Sequence, residues 1–299
     1  MNENLVPSLK IMLAMIIVGS SVIVGKLIVQ SFPVFLGAEL RFLIATIILV
    51  PLMIILEGFP SISKQDLLIL FLQAFFGVFL FNIFMLYGLT ITTAMEGGII
   101  TSTAPAITGA IAFLFLKEKL GKNVILAISL AIFGTLIINF TESISTVGNS
   151  SLIGNLLIFC SVICESLFII FGKFVAERVS PLAISTIVSI FGAVLFLPFS
   201  LYEGSQFNFG EVSVLEWGLV FYSGIVVTVI AFILMYQGVS KIPASTVGVL
   251  TCVLPISSVI LSIVILGEKM TFTHLIGICL ILIAIYLIAR PEKQNNLRN

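Results

Sequence analysis

GLTITTAMEGGIITSTAPAITGAIAFLFLKEK (residues 88–119) and GVSKIPASTVGVLTCVLPISSVILSIVILGEK (residues 238–269) lie 150 positions apart in one chain of 299 residues. Superposed without a gap, Gly88 falls on Gly238, Ala94 on Ala244, Gly98 on Gly248, Thr101 on Thr251, Pro105 on Pro255, Glu118 on Glu268 and Lys119 on Lys269. One shared proline is chance, but an ordered series of this kind marks an internal duplication. A shift of 147 extends it towards the N-terminus, aligning Gly25-Lys26 with Gly172-Lys173 and Pro51 with Pro198.

Both copies sit in a chain that is 60% hydrophobic and 9% charged, with a mean hydropathy of +1.27. An ordinary soluble domain carries about 25% charged residues, so a water-soluble fold is excluded. About 20 apolar residues cross the hydrocarbon as a helix with every backbone polar group satisfied internally. That criterion predicts ten transmembrane helices over 8–29, 34–56, 66–90, 93–116, 122–140, 151–172, 181–202, 213–237, 243–266 and 272–289. The expected fold is therefore an all-α integral membrane bundle. It comprises one five-helix repeat over 10–140, a second over 151–289, and a cytoplasmic tail over 290–299.

Lysine and arginine stay on the cytoplasmic side during insertion. With both termini inside, Lys10, Lys64, Lys117, Lys119, Lys122, Lys173, Arg178, Lys241, Arg290, Lys293 and Arg298 are cytoplasmic, and only Lys26, Arg41 and Lys269 lie outside. A multi-pass protein of the plasma membrane with cytoplasmic termini is expected. Because five is odd, the second repeat enters the membrane upside down. Inverted repeats give a chain two related conformations, each open to one side, around a solute site near the midplane.

Charge and motifs exclude other classes. The formal net charge is zero, which leaves no basic footprint for nucleic acid. Cys160, Cys164, Cys252 and Cys279 lie in apolar runs without Cys-x-x-Cys spacing and read as packing residues, so neither a metal nor a cofactor is expected. Gly19 to Lys26 has the wrong glycine spacing for a phosphate loop. Asp66 is the sole aspartate, and no zinc-hydrolase or serine-nucleophile motif occurs. An enzyme is not expected. A polytopic intramembrane enzyme and a non-transporting receptor or scaffold are the alternatives to a transporter.

Several residues carry a more specific resemblance. They are Arg41-Phe42-Leu43-Ile44-Ala45 in the second span, Thr93-Ala94 opening the fourth, Pro105 within it, and Leu116-Lys117-Glu118-Lys119-Leu120 closing it. The second copy has Ala244, Pro255 and Leu266-Gly267-Glu268-Lys269-Met270. In these features the chain resembles the drug/metabolite transporter superfamily, and within it the EamA-type transporters of ten helices with two EamA repeats. Val188 stands where a second Arg41 would be. The resemblance implies a secondary transporter, an exporter of a small metabolite, amino acid or drug-like solute. Its partners would be that solute and the lipid bilayer, with proton coupling left open.

Ionisable residues inside the membrane are costly and face a water-filled path or a partner. Glu165, just past the middle of the sixth span, has two readings: it holds a substrate amine or takes up a proton, or it is a protonated carboxyl bonded to a neighbouring helix. Glu96, beside Gly97 and Gly98, is a second substrate or coupling candidate, or else a pair for Arg41 at the same face. Asn82, Tyr87, Asn155, Tyr236 and Gln237 are candidates for lining a cavity, although hydrogen bonding between helices explains each equally. Lys26 and Lys173 at matching span ends are gating candidates alongside Arg41, with snorkelling as the alternative. Pro105 and Pro255, paired by the repeat, are hinge candidates. Ala127, Ala131 and Thr135 form a small-residue stripe suited to close helix contact.

Overall fold

A computed structural model describes residues 4–91, 97, 100–142, 152–266 and 272–289. Among them every extended element is helical: α1 (Leu5–Ser31), α2 (Val34–Glu57), α3 (Lys64–Ile91), α4 (Ala104–Phe115), α5 (Lys122–Glu142) and α6 (Leu152–Val175). There follow α7 (Pro181–Ser205), α8 (Val214–Val239), α9 (Ala244–Leu250), α10 (Val253–Leu266) and α11 (Phe272–Ala289). Among the described residues seven stretches are long and apolar enough to cross a membrane, namely α1, α2, α3, α6, α7, α8 and Ala244–Ile265 across α9 and α10. Three apolar helices, Ala104–Phe115, Lys122–Ile137 and Phe272–Ile288, are shorter than that length.

Local chemistry sets the boundaries. Ser63 and Ser180 accept hydrogen bonds from Asp66 N and Ala183 N at the starts of α3 and α7, and Pro181 takes the position where a missing N–H costs nothing. Ser213 and Glu216 form a reciprocal capping box on α8. Gly58, at φ +73°, ends α2 in a conformation that an L side chain rarely adopts.

The buried interior is mainly apolar but also takes in small polar side chains, and large apolar side chains cover much of the outside. Ser161, Ser166, Ser185, Thr186, Ser189, Thr228 and Gln73 are fully buried, whereas Phe113, Leu114, Phe115, Leu152 and Val264 are exposed. Lipid is as apolar as leucine, so helices associate here through close packing and hydrogen bonds. The predicted stripe on α5 meets this need. Ala127 and Ala131 are fully buried and pack in one cluster with Ile281 and Ala284 of α11. At Gly134 an added Cβ would stand 2.7 Å from Ile281 Cγ1 and 2.8 Å from the Gly277 carbonyl.

Helix contacts come in exchangeable pairs. Helix α1 packs on α8 and α10, as α6 packs on α3 and α4, and α2 touches α8 as α7 touches α3. Two further contacts, α2 with α7 and α5 with α11, join corresponding helices directly, and α4 also touches α9, which lies in the span that corresponds to its own.

Two wide turns also correspond. α3 passes through a π-helical stretch at Phe75–Leu80 and α8 through another at Ser223–Ile230. Within the second, Thr228 Oγ1 donates to the Ser223 carbonyl five residues back and accepts from Arg41 Nε at 2.8 Å. In the first, Gly77 lies so close to Phe168 that a Cβ there would stand 2.3 Å from the Phe168 Cβ.

Candidate functional site

The helices that carry Pro105 and Pro255 are interrupted at corresponding places. Ser102 and Thr103 form a turn before α4 begins at Ala104, and Thr251 and Cys252 form a turn between α9 and α10. Proline lacks the N–H that would continue a ladder through each turn. Local bonds fill in: Ala106 N and Ile107 N donate to the Thr103 carbonyl, and Leu254 N donates to the Thr251 carbonyl. The hydroxyls of Thr103 and Thr251 donate to the carbonyls of Ile100 and Gly248.

Both interruptions open onto one cavity of about 450 Å³, within the range of about 300–1,000 Å³ usual for small-molecule sites. Thr101, Ala104 and Pro105 form one wall and Thr251, Cys252, Leu254 and Pro255 another. Val18, Ser21 and Val22 of α1, Gly77, Phe81 and Met85 of α3, and Thr135 of α5 supply most of the rest. Glu165 and Phe168 enter from α6.

Glu165 is the one charged residue among the described residues lining this space. It is half-buried, and among the described residues no hydrogen bond or ion pair reaches its carboxylate. The nearby hydroxyls are turned inward: Ser21 donates to the Val18 carbonyl and Thr135 to the Ala131 carbonyl.

At the lysine-rich end Glu118, Lys10 and Asp66 of the first half bind the second half, and Lys173 ties two helices within the second half. The Glu118 carboxylate accepts from Ala244 N at 2.6 Å, Ser245 N at 3.0 Å and Ser245 Oγ at 2.8 Å, capping α9 from a distance. Lys173 Nζ donates to the Val239 and Ser240 carbonyls at the C-terminus of α8. Each charge complements the dipole of the helix end it meets. Lys10 Nζ donates to Gln237 Oε1, and Arg178 pairs with Asp66 at 2.7 Å.

A model of the EamA-like transporter family matches the chain twice, over residues 7–140 and 152–290. The chain belongs to the EamA-like transporter family. It is a membrane transporter by family. It is similar to the uncharacterized transporter YetK of Bacillus subtilis (strain 168), with 47% identity over 283 residues that cover 94% of this chain and 86% of the relative. The uncharacterized transporter YyaM of the same strain is 25% identical over 272 residues, 90% of this chain and 89% of its own. A protein crystal structure 16% identical to the chain shares the fold, with a TM-score of 0.79 over 95% of this chain and 96% of that one.

In this EamA-like chain the sequence candidates separate. The cavity contains Glu165, Pro105 and Pro255. Outside it lie Asn82, exposed and donating to the Val78 carbonyl of its own helix, and Tyr87, also exposed. Tyr236 is fully buried, and its hydroxyl accepts from Gln73 Nε2 at 3.0 Å. Gln237 belongs to the lysine-rich end, and Asn155 does not line the cavity. Arg41 sits on Thr228 with its guanidinium 4.8 Å from the Phe42 ring, and Lys173 is tied to α8. Glu96 and the Lys26 side chain lie outside the described residues.

Sequence reasoning missed Phe81, Met85 and Phe168 as cavity residues; Cys252, expected to be a packing residue, is buried in the cluster of Ala127 and Ala131 and also borders the cavity. Only Thr101 and Thr251 carried a signal, through their register in the repeat. It also missed Gln73, which donates both to Tyr236 and to the Phe168 carbonyl, and the bond from Thr108 to Ser166 at 3.0 Å.

Proposed function

We propose that the chain is a secondary transporter of ten spans that moves a small solute by alternating access between two inverted five-helix repeats, residues 10–140 and 151–289. The observation that carries this reading is the pair of corresponding helix interruptions, at Ser102–Thr103 and Thr251–Cys252, meeting at one cavity beside a carboxylate without a described partner. Discontinuous helices at a repeat interface are where such proteins bind solute. The exchangeable helix contacts support a two-fold relation between the repeats, and the odd number of spans in each makes that relation an inversion.

In this reading Glu165 is the substrate or coupling group, Pro105 and Pro255 permit the bends, and the ties of Glu118 and Lys173 close the cytoplasmic end. Both termini are cytoplasmic in the plasma membrane. Export of a metabolite, amino acid or drug-like solute follows from the family resemblance, and the energy comes from a gradient of the solute or of protons. Purified protein in vesicles, offered a labelled panel of amines, amino acids and neutral metabolites, tests this. Protein-dependent flux of one panel member is expected; binding or chemical turnover without flux of any member would overturn it in favour of a receptor or an enzyme.

A further inference from the structure

Three of the four hydroxyl groups lining the cavity are already committed as donors. Ser21, Thr135 and Thr251 each spend their hydroxyl proton on a carbonyl of their own helix, so they present lone pairs alone to a further ligand. The starts of α4 and α10, which would otherwise attract an anion, are poor in free N–H groups. Pro105 and Pro255 remove one donor each, and Ala106 N, Ile107 N and Leu254 N are already bonded. Two described cations of the bundle are committed elsewhere, Arg41 to Thr228 and the Phe42 ring and Lys173 to the end of α8. A solute carboxylate would therefore meet the Glu165 carboxylate with no described counter-charge.

A cation finds the opposite. An ionised carboxylate in an apolar site needs a positive partner or a proton. Aromatic rings attract ammonium groups and thioethers adapt to apolar bodies, and Phe81, Phe168 and Met85 supply both kinds of surface.

We propose that this cavity selects a lipophilic amine lacking a carboxylate, its ammonium seated on Glu165 in place of a proton. The inference rests on the transporter reading of the same cavity and narrows its solute. One proton leaves Glu165 for each ammonium bound, so binding strengthens as pH rises while the amine remains charged. Of the titratable groups on α6 and on helices packed against it, Cys252 alone shares the cavity wall. Cys160, Cys164 and Lys173 lie elsewhere on α6, Tyr87 is exposed, Tyr236 is bonded to Gln73, Tyr222 to Ser20 and Glu216 to Ser31 and Ser213, and Lys64 and Asp66 lie at the lysine-rich end. Helices α4 and α9 carry none.

The test compares phenethylamine, phenylalanine and 2-phenylethanol as ligands of the purified full chain in detergent, by calorimetry. The expected result is that the amine binds at least about tenfold more tightly than either other compound, tightens between about pH 5 and about pH 8, and releases protons into weak buffer in the acidic part of that range. Glu165→Gln is expected to weaken amine binding by about thirtyfold or more and to abolish its pH dependence. Glu165→Asp should retain that dependence. If the Gln variant does not fold, the three-ligand comparison and the proton release of the unaltered chain decide. Absent amine binding, equal binding of the alcohol, pH-independent binding, or an unaffected folded Gln variant would each overturn the inference. Flux of a neutral or acidic solute without flux of the amine would sink this proposal alone; no flux of any panel member would sink the transporter reading beneath it.

Discussion

Removing the Glu118 carboxylate should loosen the lysine-rich end by an amount that its hydrogen bonds allow to be worked out. Glu118 is half-buried and holds two backbone N–H groups of α9 and the Ser245 hydroxyl at 2.6–3.0 Å. Loss of a side-chain cap costs about 0.5–2 kcal/mol, and loss of a negative charge at a helix N-terminus about 0.3–1 kcal/mol more. Glu118→Ala should therefore cost about 2 kcal/mol. Glu118→Gln keeps the shape and one acceptor oxygen and should cost about 1 kcal/mol, while Ser245→Ala loses one neutral-donor bond and should cost about 1 kcal/mol. The two sites share a bond, so Glu118→Ala combined with Ser245→Ala should cost less than the sum of the single changes. Reversible unfolding in mixed detergent micelles measures all four. Glu118→Ala within about 0.3 kcal/mol of the unaltered chain, or full additivity with Ser245→Ala, would refute the distant cap.

Other expectations follow from close contacts. Gly134→Leu should separate α5 from α11 and cost about 1–3 kcal/mol by overpacking, read by the same unfolding titration, because even a Cβ there meets the Gly277 carbonyl at 2.8 Å. Thr228→Val should destabilise more than Arg41→Met, by about 1–2 kcal/mol, since it strands the Arg41 Nε that Thr228 now accepts from. Replacing Pro105 and Pro255 together by Ala, which restores two backbone donors, should slow vesicle flux by about tenfold if each interruption is a moving hinge; unchanged flux would remove that role.

Membrane residence was legible because a run of about 20 apolar residues has few other uses. The interruptions at Ser102–Thr103 and Thr251–Cys252 were half legible: paired Pro105 and Pro255 located them, but the turn lies before each proline and depends on the local bonds of Thr103 and Thr251. The π-helical turns were not legible. Phe75–Leu80 and Ser223–Ile230 read as ordinary apolar helix, and the features found at them are tertiary, Gly77 against Phe168 and Arg41 on Thr228.

Facing direction was the poorest signal. In a soluble helix polarity marks the wet side, but a lipid-facing surface and a packed interior are both apolar. Asn82 and Tyr87 thus looked like Glu165 in sequence, although only Glu165 reaches the cavity. Gln73, Thr108 and Ser166 formed buried hydrogen bonds across the two halves that no spacing announced.

The proposed transport cycle requires the two repeats to lie in the membrane with opposite sense. In a chain with Cys160, Cys164, Cys252 and Cys279 replaced, Lys117→Cys and Lys269→Cys mark the closing corners of the two copies. With a membrane-impermeant thiol reagent added to intact cells, Lys269→Cys should label at once and Lys117→Cys only after permeabilisation. Labelling of both from the same side would contradict the inverted arrangement and the transport cycle built on it.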